Sequence, residues 1–234
     1  MFLGNALKLQ TKQLDEFQIS DVSGLKAWYK VGVGITTSSG NVSEWADSSG
    51  NTSEDMDLSP DSGDNVTTYD SNTAAVGFRT VNKSYLSTAS DQLNLGTFTI
   101  FAVIDFDEAV SLTNEVLMGR LANDSIRFYR GASNIRVGFR ANGVISDMNN
   151  VTGGIPSSKF LMTMIRESDG DILLRFDGTQ VENTTSDITD LFDFTQLGFG
   201  VLDADLYEVA IYNTALSGTD LTNVETNIKE RNGL

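Results

Sequence analysis

From Leu25 onward the chain alternates apolar and polar residues with a period of two. That period constrains the fold more than any other feature, because successive side chains on a strand point to opposite faces. Leu25, Ala27, Tyr29 and Val31 alternate with Lys26, Trp28 and Lys30. Ile126 and Phe128 alternate with Arg127 and Tyr129. After Gly131-Ala132-Ser133-Asn134, Ile135, Val137 and Phe139 alternate with Arg136, Gly138 and Arg140, which predicts a hairpin with a four-residue loop. The run from Phe98 to Ile104 is apolar on both faces and predicts a central strand buried on both sides. Phe160, Met162 and Met164 set another strand, and Tyr207, Val209 and Ile211 a late one. Asp177-Gly178 sits between two further strands, and Asp-Gly is a favoured hairpin turn. Roughly a dozen short strands with frequent turn signals predict an all-β sandwich or barrel of antiparallel sheets.

One helix interrupts this pattern. Ser217 with Asp220 three residues on makes a capping pattern, and Leu221, Val224 and Ile228 fall on one stripe. Lys229 and Arg231 suit the last turn and Gly233 the stop, so a short C-terminal helix is expected to pack on the sandwich. Residues 1–22 stand apart, as a short helix or an extended arm, and 23–234 form one domain. The acidic stretch 48–73 reads as a long solvated loop.

Composition removes whole classes of chemistry. With no Cys there is no disulfide framework and no thiol nucleophile. With no His there is no Ser-His-Asp triad and no imidazole metal site. The 32 acids against 16 bases leave a net charge of -16, which argues against nucleic acid and against an anionic membrane. No apolar run approaches the ~20 residues of a membrane span, and the first residues lack the pattern of a signal peptide.

Three stretches carry a family resemblance. Gly24-Leu25-Lys26-Ala27-Trp28-Tyr29 leads into Trp45-Ala46-Asp47-Ser48-Ser49-Gly50-Asn51. Ala75-Val76-Gly77-Phe78, Ser84-Tyr85-Leu86 and the Phe98 strand follow. Glu208-Val209-Ala210-Ile211-Tyr212-Asn213-Thr214-Ala215-Leu216-Ser217 then precedes the helix. Together they resemble the concanavalin A-like lectin/glucanase superfamily, in its laminin-G-like branch, across residues 24–234. The resemblance implies a two-sheet antiparallel jelly-roll sandwich. It leaves function open, because that fold hosts lectins, glycosidases, adhesion modules and viral structural domains.

Candidate site residues are few. Trp28 and Trp45, the two tryptophans, are either core aromatics or sugar-stacking platforms. A glycosidase needs two carboxylates at a fixed separation. The glycosidases of the resembled superfamily carry Glu-x-Asp-x-Glu on one strand, and Asp105-Phe106-Asp107-Glu108 lacks that spacing. Asp203 and Asp205 share a strand face without an identifiable partner, so no catalytic residue is assigned. Calcium would suit the acidic 54–64 loop or Asp169-Gly170-Asp171, though neither has an EF-hand spacing and no ligand set follows. No other cofactor is indicated. Of the nine Arg, five fall between Arg120 and Arg140. Arg127, Arg136 and Arg140 either balance neighbouring acids or form an assembly face for an acidic neighbour, such as another copy of the chain.

The expectation is a non-enzymatic virion structural protein of a bacteriophage, as a capsid decoration, tail or fibre component. Its partners would be other virion proteins or copies of itself in a homo-oligomer, with a cell-surface glycan as a further one. A carbohydrate-binding lectin-like module is the alternative, and a glycoside hydrolase comes third.

Overall fold

The computed structural model describes residues 17–60, 67–79, 85–107, 115–120, 123–130, 135–148, 151–198 and 202–234. Their strands pair antiparallel, most of them in two facing sheets, with Leu93–Leu95 and Phe192–Phe194 as a separate two-stranded pair. In the first, Thr179–Thr184, Ile172–Phe176, Phe160–Arg166, Phe98–Phe106 and Ala204–Tyr212 lie side by side. Leu25–Tyr29 then pairs with one half of the last strand and Ala75–Phe78 with the other. The second sheet runs Val144–Met148, Ile135–Ala141, Asp124–Arg130, Glu115–Arg120, Gln196–Leu197, Leu86–Thr88, Leu58–Ser59, Asn41–Trp45, Ile35–Ser38. Thr68–Asp70 joins the two, pairing with both Asn41–Trp45 and Ala75–Phe78. This is the two-sheet jelly-roll sandwich with a C-terminal helix.

The Phe98–Phe106 strand explains its own two-faced apolarity. Phe98, Ile100, Ala102, Ile104 and Phe106 face the core between the sheets. Phe101 and Val103 face the opposite way, into a second core under the helix. Each such side chain stabilises the fold by roughly 1.5–3 kcal/mol when fully buried. Between the sheets, Phe192 stacks on Phe98 and Phe139 with centroids 5.7 and 5.4 Å apart.

The alternation breaks where a bulge inserts a residue. In Ala204–Tyr212, Leu206 opposes Ile104 but Glu208 opposes Val103, so Tyr207 is the extra residue. Tyr207 therefore joins the helix-side core while Val209 and Ile211 face the sheet interior. The same happens between Leu25 and Ala27, which puts Leu25 on the outer side of Ala27 and Tyr29.

The helix, Gly218–Asn232, packs Leu221, Val224 and Ile228 on Phe101, Leu161, Ile165 and Ala210. It ends as predicted: Gly233 has φ 67° and its N–H bonds back to Glu230 O, while Leu234 N–H reaches Lys229 O. Its start differs. Ser217 holds the cap position with extended backbone, but its side chain makes no capping hydrogen bond. Gly218 follows with φ 57°, outside the helical region, so the first turn does not present its amides to the Ser217 hydroxyl.

Two corrections concern segments read as detached. Ile19 is fully buried, Tyr212 Oη donates to its carbonyl at 2.6 Å, and Asn227 Nδ2 donates to Phe17 O. Residues 17–22 are thus anchored to the sandwich, and 1–16 lie outside the described residues. The acidic stretch 48–73 is not all solvated, since Met56 and Leu58 lie in the main core and Leu58–Ser59 and Thr68–Asp70 are strands. Among the described residues no helix is long and apolar enough to cross a membrane.

Candidate functional site

The hairpin of the second sheet carries the candidate site. Ile126, Phe128, Val137, Phe139 and Met148 all point into the core. The intervening residues must then face outward, because strand side chains alternate. Asp124–Arg130, Ile135–Ala141 and Val144–Met148 run in register, with Arg127 opposite Gly138 and Gly138 opposite Asp147. Tyr129 lies opposite Arg136, and Ser125 opposite Arg140. The sequence-predicted Arg127, Arg136 and Arg140 are therefore brought to one face, around Gly138.

Gly138 is there because of Tyr129. A Cβ at position 138 would come within 2.7 Å of Tyr129 Cε2, 3.3 Å of its Oη and 3.0 Å of Asp147 Oδ1. The Tyr129 ring thus lies across the bare backbone of Gly138, half-buried, with the Asp147 carboxylate at its edge. Arg127 Nε donates to Ser125 Oγ at 2.6 Å, and Arg140 Nε donates to Gly143 O at 3.2 Å. These bonds hold two of the three guanidinium groups in place.

Sequence reasoning noted the arginines and missed the rest of the face. Tyr129 was read only as an alternating residue, and the Val144–Met148 strand was not found. The signal for that strand was Asn142-Gly143, whose φ values of 46° and 84° make the tight turn that starts it.

The tryptophans are interior. Trp45 has no exposed surface and packs on Tyr29 with ring centroids 5.7 Å apart. Trp28 is 4% exposed and donates from Nε1 to Glu208 Oε1 at 2.7 Å. The cationic groups of Arg231 and Lys30 stand over its ring. Neither indole offers a free face to a sugar. Asp47 explains the turn that follows Trp45. Its Oδ1 accepts the Trp28 and Ser49 amides, and its Oδ2 the Ser49 hydroxyl, so the Trp-Ala-Asp-Ser-Ser segment is tied to the first strand.

Among the described residues the acidic candidates are tied up in other pairings. Asp105 opposes Asp205, and Arg79 pairs with Asp205 at 2.7 Å. Glu108 lies outside the described residues. Asp203 does have an acidic neighbour that sequence reasoning passed over. Glu115 is 2% exposed, and its Oε2 accepts the Asp203 amide at 2.8 Å. Burial pushes the Glu115 carboxyl up to about 7; the Asp203 charge adds to this and the amide bond opposes it. At that depth Glu115 reaches no substrate.

Neither calcium candidate assembles a set of ligands among the described residues. Part of the 54–64 loop lies outside the described residues, and in Asp169-Gly170-Asp171 the Asp171 amide occupies Asp169 Oδ1. Among the described residues no three carboxylates are grouped to hold a metal ion.

No protein-family model matches the chain. No curated protein matches it either. Solved structures do. The binding domain of Paraclostridial Mosquitocidal Protein 1 is similar at 15% identity and a TM-score of 0.54, over 91% of this chain and 53% of that one. A botulinum neurotoxin type C structure is similar at 10% identity and a TM-score of 0.63, over 90% of this chain and 52% of that one. The binding domain of botulinum neurotoxin DC is similar at 11% identity and a TM-score of 0.59, over 90% and 52%. The chain spans about half the length of each. At these identities the likeness is one of fold: the chain shares a β-sandwich with the binding domains of clostridial toxins.

Proposed function

We propose that this chain is a non-enzymatic carbohydrate-binding module that presents one face of a rigid sandwich to a glycan. The observation that carries this reading is the Tyr129 ring laid across Gly138, with Asp147 and three arginines around it. A sugar has an apolar face of C–H groups and a rim of hydroxyls. An aromatic ring suits the first, and carboxylate and guanidinium groups suit the second. The structural neighbours are binding domains, which agrees with binding without hydrolysis.

The neighbours lend support in kind. Botulinum neurotoxin type C depends on interaction with two ganglioside molecules to enter cells, and the botulinum neurotoxin DC domain is solved in complex with SialylT. This chain spans about half of each, so the reading rests on its own residues. The virion placement expected from composition gains no observation from the fold. Mass spectrometry of purified particles is its test.

The test of the glycan reading is a glycan array probed with the native chain and with Tyr129→Ala. Saccharide binding that Tyr129→Ala abolishes, with an unchanged thermal melt, supports it. Failure of the native chain to bind any saccharide sinks it.

A further inference from the structure

Taking the glycan reading of the Tyr129 face as its basis, we infer that the saccharide recognised there is anionic, bearing a carboxylate or a sulfate. The inference starts from the fate of each described arginine side chain. Arg79, Arg120, Arg175 and Arg231 pair with Asp205, Asp193, Glu225 and Glu208. Arg166 is buried, and its terminal nitrogens donate to the carbonyls of Asp190 and Ile188. Arg127, Arg136 and Arg140 form neither an ion pair nor a buried carbonyl clamp of this kind among the described residues.

That pattern runs against the composition. The chain has twice as many acids as bases, so acidic partners are plentiful. Yet three arginines with no ion pair among the described residues gather on one face. Gly138 is opposite Arg127, which makes residues 136 and 140 its diagonal neighbours across the strand pair. Diagonal positions are roughly 7–8 Å apart, within mutual repulsion. Asp147, opposite Gly138, sets one carboxylate against the three cations, so the face keeps a positive excess that an anion from outside would match.

The donors are also prepared for one. Arg127 and Arg140 each spend Nε on a fixed partner, Ser125 Oγ and Gly143 O. Their terminal nitrogens are what remain, and planar guanidinium groups bind carboxylate and sulfate oxygens in pairs. The floor of the cluster is the Tyr129 ring, so the anionic group meets the arginines while the sugar ring meets the tyrosine. Nucleic acid fits less well. Three cations on a chain of charge -16 do not make the extended basic surface that a phosphate backbone requires.

The experiment is an array of neutral oligosaccharides beside their sialylated and sulfated counterparts, followed by titration of the best binder at low and high salt. We expect hits confined to the acidic members. Affinity should fall about tenfold in Arg127→Gln and in Arg136→Gln, and again on raising salt. Lys30→Gln removes the same charge from the other sheet and should leave binding intact, with melting curves confirming that each variant is folded. Equal binding to neutral and acidic members, still lost in Tyr129→Ala, overturns the anionic ligand and keeps the glycan reading. No binding to any member overturns both. Salt-sensitive self-association lost in Arg136→Gln, without saccharide binding, assigns the face to a second copy and overturns the inference.

Discussion

The ring of Tyr129 lies across the backbone of Gly138, so close that a Cβ there would stand 2.7 Å from Tyr129 Cε2. Gly138 is not needed for a turn; it sits mid-strand, opposite Arg127 and Asp147. The glycine exists to leave room for the ring. Gly138→Ala should push Tyr129 off the face while leaving the inward residues Val137 and Phe139 in place. Saccharide binding should then drop about tenfold or more, with a stability change of about 1 kcal/mol or less. Titration and a thermal melt on the same sample check both numbers.

The tryptophans should behave as structure and not as platforms. Trp45→Ala empties a fully buried site beside Tyr29 and should destabilise by about 3–5 kcal/mol. Trp28→Phe keeps a ring but removes the Nε1 donor to Glu208, a cost of about 1–2 kcal/mol. Urea midpoints measure both. Selective loss of saccharide binding by folded Trp28→Phe would place the site on the helix side instead.

Sheet membership was legible in the period of two because burial imposes it on every strand. The Phe98–Phe106 strand shows this well, since its two apolar faces follow from lying between the core and the helix. The period fails at Tyr207, where a bulge set by pairing with a distant strand shifts the phase. It also cannot tell a sugar platform from a core indole, because Trp28 and Trp45 differ from a surface ring only in what folds over them. Arg127, Arg136 and Arg140 were legible as a cluster. That they form no ion pair among the described residues was not, because it depends on which residues the other strands bring near.

The helix should be held by charge as well as by its apolar stripe. Glu225 is buried beneath it, accepting from Thr163 Oγ1 at 3.0 Å and from Arg175 at 2.8 and 3.1 Å. Glu225→Ala removes one side of this pair and leaves Arg175 and Thr163 without their acceptor. The expected loss is about 2–4 kcal/mol. Arg120→Ala breaks an exposed pair with Asp193 and should cost about 0.5 kcal/mol or less. Chemical denaturation of the two variants side by side tests the contrast.

Glu115 should make stability depend on pH. Its carboxyl ordinarily titrates near 4.5, and burial beside Asp203 raises it to about 7 in the folded chain. A carboxyl with a raised folded value binds its proton more tightly when folded. Folding is therefore not penalised below the unfolded value, loses stability as pH climbs from about 4.5 to about 7, and bears the full penalty above that. Glu115→Gln keeps an acceptor for the Asp203 amide and removes the charge. It should be more stable than the native chain by about 1–3 kcal/mol at pH above 7, with the gap closing as pH falls toward the unfolded value. Unfolding free energies measured across that range give the profile. A gap that widens on acidification would show that the Glu115 carboxylate, and not its protonated form, is the one the fold favours.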